Sequence, residues 1–204
     1  MAERNKTRSI FRNQIMSLKL FKKQLENSKI IQRGDYRYII NAICEQDPPL
    51  EPSILEDCAN KLLERMTWQG ANKILTPEAM GIHIATTISL KTSLPMIIAT
   101  HRRKFTMDEI PVEYVCGYES GKLHINGIKE NDKILLIDDL ISTGGTAISL
   151  IDAIRKIGAE VVDFGVIFNK IDYGGMTALR KMGLMPKTLL DVRLNGDIIE
   201  VSEC

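Results

Sequence analysis

The chain has 204 residues, of which 44% are hydrophobic and 26% are charged. This length suits one domain of ordinary size, or one domain with an extension, and the composition excludes a disordered, collagenous or membrane-embedded chain. The 27 Lys and Arg residues nearly balance the 26 Asp and Glu residues, and a net charge of +1 gives no general attraction to nucleic acid or to an anionic membrane. Any anion-binding site must therefore be local.

The cysteines and the apolar segments indicate a cytoplasmic protein. The four cysteines are far apart, with no C-x-x-C pair and no histidine at ligand spacing, and they predict neither a zinc site nor a disulfide framework. No apolar run approaches the roughly 20 residues that span a bilayer, and the N-terminus lacks the order of a signal peptide. We expect a cytoplasmic location and no membrane partner.

Residues 1–29 are predicted to form a basic, helical N-terminal extension, and residues 30–204 to form the main domain. Lys and Arg far outnumber Glu3, the only acid among residues 1–24, and apolar residues recur there at roughly helical spacing. A nucleic-acid arm is one interpretation, but the segment has no Gly-Arg repeats. We favour a solvated helix that packs on the domain or on a partner subunit, and we expect no nucleic-acid partner.

Strand-like and helix-like segments alternate after the extension. In the first half we predict strands at 36–43, 73–76 and 95–99 and helices at 53–66 and 79–90. A hairpin is predicted from 112–118 and 122–125.

The second half predicts a strand at 133–137, a helix at 146–157 that Gly158 ends, and a strand at 161–168. Asn195-Gly196 predicts a tight final hairpin between 190–194 and 198–201. Strand, helix and strand in this order predict an α/β fold, with a central, mostly parallel sheet covered by helices on both faces.

One stretch has the pattern of a phosphate-binding loop. In Ile134-Leu-Leu-Ile-Asp-Asp-Leu-Ile-Ser-Thr-Gly-Gly-Thr146, four apolar residues precede two carboxylates and a turn into a helix. Open α/β sheets bind ligands at the carboxyl ends of such strands, where glycines admit a phosphate to backbone N–H groups and the helix N-terminus favours an anion. No Lys follows the second Gly, so this is not a P-loop. We predict that a phosphate monoester binds to Ser142, Thr143, Gly144, Gly145 and Thr146.

The two adjacent carboxylates extend this interpretation. Asp138 and Asp139 would repel a bare phosphate, whereas carboxylates accept hydrogen bonds well from the vicinal hydroxyls of a ribose. The alternative is a helix-capping loop with solvated acids. The combined 13-residue pattern favours the ligand.

This pattern resembles the signature of the type I phosphoribosyltransferases, which bind 5-phosphoribosyl-1-pyrophosphate. Residues 74–81 resemble their pyrophosphate loop, 101–104 the basic stretch before their flexible loop, and 112–125 that loop and its returning strand. The resemblance covers roughly residues 30–170. It is greatest to the archaeal hypoxanthine/guanine phosphoribosyltransferases, with the adenine enzymes as close relatives.

The resemblance implies the fold of that family, including a small hood, and a role for each matched position. Asp138 and Asp139 would hold the ribose hydroxyls, with Asp139 also catalytic, and residues 142–146 would hold the 5′-phosphate. The pyrophosphate would be bound by Glu78, Ala79, Met80, Gly81, Arg102, Arg103 and Lys104. The purine would lie against Lys170, which would donate to a 6-oxo group, and under a hood that contains Tyr36 and Tyr38.

Three departures from the family leave the proton acceptor open. Met80 stands where the adenine enzymes have Arg, and Glu119 follows a tyrosine that a Glu precedes in those enzymes. Ser142 stands where bacterial and eukaryotic hypoxanthine/guanine enzymes have Asp. Glu119 is our catalytic candidate for assisting proton removal from the purine, and an exposed turn residue is the alternative.

The resemblance also implies partners and an activity. Mg²⁺ would be held largely by the donor and water, with no dedicated protein cage, and the enzyme would be a homodimer. The expected reaction transfers the phosphoribosyl group to hypoxanthine or guanine, giving IMP or GMP and pyrophosphate. The alternatives are an adenine phosphoribosyltransferase and a non-catalytic regulator that senses the donor.

Overall fold

The computed structural model describes residues 18–117 and 119–204. Its strands are β1 (Ile30–Arg33), β2 (Tyr36–Ile39), β3 (Lys73–Pro77), β4 (Met96–Ala99), β5 (Ile110–Val115), β6 (Ser120–Ile125), β7 (Lys133–Ile141), β8 (Glu160–Lys170), β9 (Lys187–Asn195) and β10 (Ile198–Glu203). Its helices are α1 (18–26), α2 (Pro52–Arg65), α3 (Ile82–Thr92), α4 (Gly145–Lys156) and α5 (Gly175–Lys181).

Six strands form the central sheet, in the order β10-β9-β8-β7-β3-β4. All neighbours pair in parallel except β9 and β10, which form the antiparallel hairpin at one edge. The hairpins β1–β2 and β5–β6 are separate two-stranded sheets. The predicted α/β fold with a mostly parallel sheet is confirmed.

The sheet has a hydrophobic core on each face because successive side chains of a strand point to opposite faces. On β7, Leu135 and Ile137 belong to one core, which also contains buried residues of α1, α2 and α3. Ile134 and Leu136 belong to the other core, with buried residues of α4, α5 and the β5–β6 hairpin. Helices therefore cover both faces and leave the ends of the strands accessible.

The helix α1 is part of the first core. Leu18, Phe21 and Leu25 are buried there, and the Leu18 N–H donates a hydrogen bond of 3.0 Å to Asp57 Oδ2 at α2. The second half of the predicted basic extension is thus helical, as predicted, and it packs on the domain through the first core. Residues 1–17, the more basic half, lie outside the described residues.

Several predicted bounds are wrong. The strand predicted at 133–137 continues to Ile141, because β8 is long enough to pair with it as far as Asn169. The helix predicted from residue 79 begins at Ile82, and the hairpin predicted at 112–118 and 122–125 is formed by β5 and β6, with residues 116–119 as the connection. The structure adds β1 and α5, which the sequence pattern did not indicate.

The predicted helix end at Gly158 is confirmed, since Gly158, with φ of +83°, follows the end of α4. The final hairpin is also confirmed, but its predicted turn is wrong by one residue. Asn195 still pairs with Ile198 at the end of β9, so the turn is Gly196-Asp197 and not Asn195-Gly196. Within the described part of the chain, no helix is long and apolar enough to cross a membrane.

Candidate active site

A cavity of about 190 Å³ lies at the carboxyl edge of the sheet, beside the ends of β3 and β7. It brings together four segments that are distant in sequence, namely 77–80 after β3, His101 after β4, 138–147 around the end of β7, and residues of the β5–β6 hairpin. Of the predicted site residues, its lining includes Glu78, Ala79, Met80, Glu119, Asp138, Asp139, Ser142, Thr143, Gly144, Gly145 and Thr146.

The loop between β7 and α4 presents free donors to this cavity. Gly144, with φ of +79°, turns the chain into α4, and no side chain caps the first turn of that helix. The first N–H groups of a helix lack partners within the helix, and the helix dipole makes its N-terminus favourable for an anion. The Thr143 hydroxyl is also buried without a hydrogen-bond partner in the structure. The loop therefore has the chemistry that a phosphate group requires.

Two glycines allow close backbone contacts around the cavity. A Cβ atom on Gly145 would lie 1.7 Å from the carbonyl oxygen of Val115 on β5. A Cβ atom on Gly81 would lie 2.3 Å from Thr76 Oγ1 and 3.1 Å from Asp138 Oδ1. The hairpin thus rests on the start of α4, and the loop after β3 rests on the end of β7.

The paired carboxylates have different surroundings. Asp138 Oδ1 accepts a hydrogen bond of 2.9 Å from the Asp139 N–H, and Asp139 Oδ1 accepts one of 2.8 Å from the Leu140 N–H. Burial, and then the charge of Asp139, raise the pKa of Asp138 well above its ordinary value. Asp139 faces the loop after β2, which contains Cys44 and Glu45. Burial of these two side chains raises their pKa values, and the negative charge of Asp139 also raises them.

The predicted purine-binding residues form a cluster beside this cavity and do not line it. Lys170 is buried, donates a hydrogen bond to the Arg37 carbonyl, and lies 3.9 Å from the ring centre of Tyr36. Tyr38 packs edge-on against Tyr36, with 4.8 Å between ring centres. A hydrogen bond joins the side chains of Tyr36 and Ser142, and so connects this cluster to the loop at the end of β7.

The basic stretch predicted to bind pyrophosphate lies outside the cavity lining. Arg102, Arg103 and Lys104 are exposed. Arg103 Nε donates to Glu109 Oε2 at 3.0 Å, and its guanidinium lies 4.7 Å from the ring centre of Phe105. The role of these three residues in donor binding stays a prediction.

The residue before that stretch does line the cavity. The His101 N–H donates to Glu78 Oε2 at 2.8 Å, and His101 Nε2 lies 3.1 Å from the Tyr114 hydroxyl. That hydroxyl donates a hydrogen bond to Glu119 Oε1 at 3.1 Å. Burial, and to a lesser extent the Glu119 carboxylate, raise the pKa of Tyr114 to about 12. The sequence pattern does not single out Tyr114, because it shares the buried face of β5 with Val112, as an ordinary core residue would.

No metal cage is evident at this site. Within 18–117 and 119–204, no three His, Cys, Asp or Glu side chains form a group that could hold a metal ion. A hard cation such as Mg²⁺ prefers oxygen ligands and commonly keeps water and substrate phosphates among them.

Comparisons with known proteins agree with this geometry. A glycine loop at the carboxyl edge of a parallel sheet defines the class of α/β proteins that bind phosphorylated ligands there. The family described as "Phosphoribosyl transferase domain" matches residues 50–180. The chain therefore belongs to the phosphoribosyltransferase family, and the predicted family resemblance is confirmed.

Several similar curated proteins are archaeal. The hypoxanthine/guanine phosphoribosyltransferase of Methanocaldococcus infernus is 40% identical over 168 residues, which cover 82% of this chain and 91% of that protein. The protein of the same name from Methanosarcina acetivorans is 36% identical and covers 91% of this chain and 97% of its own length.

Several similar solved structures are adenine phosphoribosyltransferases. That of Thermoanaerobacter pseudethanolicus has a TM-score of 0.69 at 16% identity and covers 83% of this chain and 97% of its own. That of Trypanosoma brucei has a TM-score of 0.70 at 20% identity, and the match covers 84% of this chain and 79% of that one. At these identities the likeness establishes the fold.

Proposed function

We propose that the protein transfers the phosphoribosyl group of 5-phosphoribosyl-1-pyrophosphate to hypoxanthine or guanine, giving IMP or GMP and pyrophosphate. The main support is the cavity, which unites the loop after β3, the two acids of β7 and the glycine loop before α4. The archaeal relatives of this name are 36–40% identical to the chain over most of its length. The name of these relatives favours a 6-oxopurine over adenine as the substrate.

The donor would lie along the edge of the sheet. Its 5′-phosphate would bind to residues 142–146, its ribose hydroxyls to Asp138 and Asp139, and its pyrophosphate to residues 78–81. The carboxylate of Asp139 would then stabilise the electron-poor sugar carbon of the transition state. Such fixed positions convert a bimolecular displacement into a reaction between pre-aligned groups.

The displacement exchanges one bond for another at C1 of the ribose. The bond from C1 to the pyrophosphate oxygen breaks, and its electron pair leaves with pyrophosphate. A purine ring nitrogen forms the new bond and loses its proton. Glu119 lines the cavity, and its carboxylate accepts a hydrogen bond from Tyr114, so it is our candidate for receiving that proton.

Mg²⁺ would enter with the donor. We propose that the oxygen atoms of the donor and water supply most of its ligands, and that it would neutralise part of the charge of the pyrophosphate. By the same family resemblance, we propose that the enzyme is a cytoplasmic homodimer with no nucleic-acid partner.

The base preference is proposed to depend on Lys170. An ammonium group can only donate hydrogen bonds, a 6-oxo oxygen accepts them, and the 6-amino group of adenine would present hydrogens to the cation. Lys170 is buried, so an unmatched partner would be costly, by about 1–3 kcal/mol. In the structure the Lys170 ammonium donates a hydrogen bond to the Arg37 carbonyl, which is an oxygen acceptor as a 6-oxo group is.

The test is pyrophosphate release from the donor with Mg²⁺ and, separately, hypoxanthine, guanine and adenine. We expect kcat/KM for hypoxanthine or guanine to exceed that for adenine at least about tenfold, and Lys170→Gln to weaken that preference. Lys122→Gln, which removes an exposed cation paired with Glu113, is the matched control. Turnover of adenine alone would overturn the proposed base, and donor binding without any turnover would indicate a regulator.

A further inference from the structure

The charge of the cavity is unusual for a site that would bind a polyanion. Its lining includes four carboxyl groups, those of Glu78, Glu119, Asp138 and Asp139. Among the described lining residues, only His101 has a side chain that can become a cation. Opposite charge is the main means by which proteins stabilise a phosphate group, together with N–H donors.

The geometry of His101 leaves one ring nitrogen available to a ligand. Nε2 lies 3.1 Å from the Tyr114 hydroxyl, and since this hydroxyl donates to Glu119, Nε2–H is the donor of that contact. Nδ1 lies 3.6 Å from Glu78 Oε2, which is too long for a hydrogen bond. The side chain is 48% exposed, and its backbone N–H is held by the same Glu78 carboxylate.

We propose that His101 binds the pyrophosphate group of the donor in its imidazolium form, through Nδ1–H, and that Tyr114 positions its ring. This inference rests on the proposed function. It assigns to His101 the pyrophosphate contact that the family resemblance implies for Arg102, Arg103 and Lys104. As the C1–O bond breaks, the leaving oxygen gains negative charge, and a cation held beside residues 78–80 stabilises it.

The side chains around the imidazole are mainly acidic. The titratable and charged groups that face it, or share its cavity, come from the loop after β3, from β5, from the hairpin connection, from β7 and from its own segment. They are Glu78, Tyr114, Cys116, Glu119, Asp138, Asp139 and Arg102. The carboxylates outnumber the cations in this set, so the lining as a whole is acidic. In the proposed contact both ring nitrogens carry hydrogens, Nε2–H toward Tyr114 and Nδ1–H toward pyrophosphate, so wild-type affinity relative to a variant with a permanent cation at this position should decrease as pH rises.

The experiment measures binding of pyrophosphate with Mg²⁺ by titration calorimetry at several pH values. His101→Gln should weaken binding at least about tenfold at the lowest pH measured, whereas His101→Arg, which keeps the charge, should stay within about threefold of the wild type. The ratio of wild-type to His101→Arg affinity should fall as pH rises, and this ratio cancels the titration of pyrophosphate itself. Lys122→Gln should bind as the wild type does.

A second measurement tests the positioning role of Tyr114. Tyr114→Phe removes only the hydroxyl, and it should raise KM for the donor severalfold while leaving KM for the purine unchanged. Unchanged pyrophosphate binding by His101→Gln, in a wild type that turns over the donor, would overturn the inference alone. A wild type that neither binds the donor nor releases pyrophosphate would overturn the proposed function as well.

Discussion

The ammonium of Lys170 is buried beside the site. It forms no ion pair within 18–117 and 119–204, and it is stabilised by the Arg37 carbonyl and by the faces of Tyr36 and Tyr173, whose ring centres lie 3.9 and 4.6 Å away. Burial lowers the pKa of Lys170 to about 8. The energy of cation–π contacts and one hydrogen bond therefore only partly offsets the desolvation of the charge.

This pKa predicts how stability depends on pH. The lysine pKa is about 10.4 in an unfolded chain, so between about pH 8 and 10 the unfolded state binds more protons than the folded state, and the free energy of unfolding rises with pH. Urea denaturation should show wild type gaining about 2–3 kcal/mol relative to Lys170→Met from pH 8 to 10. Lys181→Met, at an exposed position on α5, is the control. A pH-independent difference would contradict the lowered pKa.

At the scale of single elements, the β5–β6 hairpin and the loop before α4 are in direct backbone contact. The Val115 carbonyl occupies the position that a side chain on Gly145 would need. On the other side of that contact, Gly117 approaches Thr143, since a Cβ atom there would lie 2.9 Å from the Thr143 methyl group. The position of the hairpin and the geometry of the glycine loop before α4 are therefore coupled, and a shift of one requires a shift of the other.

Gly145→Ala should displace the hairpin or the first turn of α4. The new methyl group cannot occupy a point 1.7 Å from a carbonyl oxygen, and a misplacement of about 1 Å at a reacting site can lower activity up to about 100-fold. We expect a decrease in kcat/KM for the donor of at least about tenfold, with a folded protein by circular dichroism. Gly70→Ala, where a Cβ atom meets nothing within 4 Å, should behave as the wild type does. Full activity of Gly145→Ala would show that the hairpin moves freely.

The elements differ in how well the sequence predicts them. The strand, loop and helix at 134–156 are predicted well because the apolar run, the glycines and the helical period are contiguous. The extension of β7 to Ile141 depends on pairing with β8, which local pattern does not contain. The meeting of His101, Tyr114 and Glu119 depends on where β4 and the β5–β6 hairpin lie in three dimensions. Local sequence therefore identifies the glycine loop between β7 and α4, and only tertiary packing identifies the side chains on the other side of the cavity.

At the scale of the whole molecule, the sheet joins two cores, and the N-terminal helix belongs to the first. Phe21 is fully buried and lies 6.5 Å, between ring centres, from Phe168 on β8. The β1–β2 hairpin that follows α1 is tied to the far edge of the sheet, because Arg37 Nη2 lies 3.0 Å from Asp197 Oδ1 in the final turn. Packing of α1 thus fixes the start of the chain segment that holds Tyr36 beside the site.

Phe21→Ala should therefore destabilise the whole domain. Truncation of a fully buried Phe costs about 3–5 kcal/mol, from lost burial and from the cavity that remains. Leu20→Ala is the matched control on the same helix, because Leu20 is 44% exposed, and it should change the free energy of unfolding by less than about 1 kcal/mol. Urea denaturation of both variants measures the difference. Equal effects of the two substitutions would show that α1 is a separate extension, as the boundary at residue 30 predicts, whereas a large effect of Phe21→Ala alone makes residues 18–29 part of the folding unit.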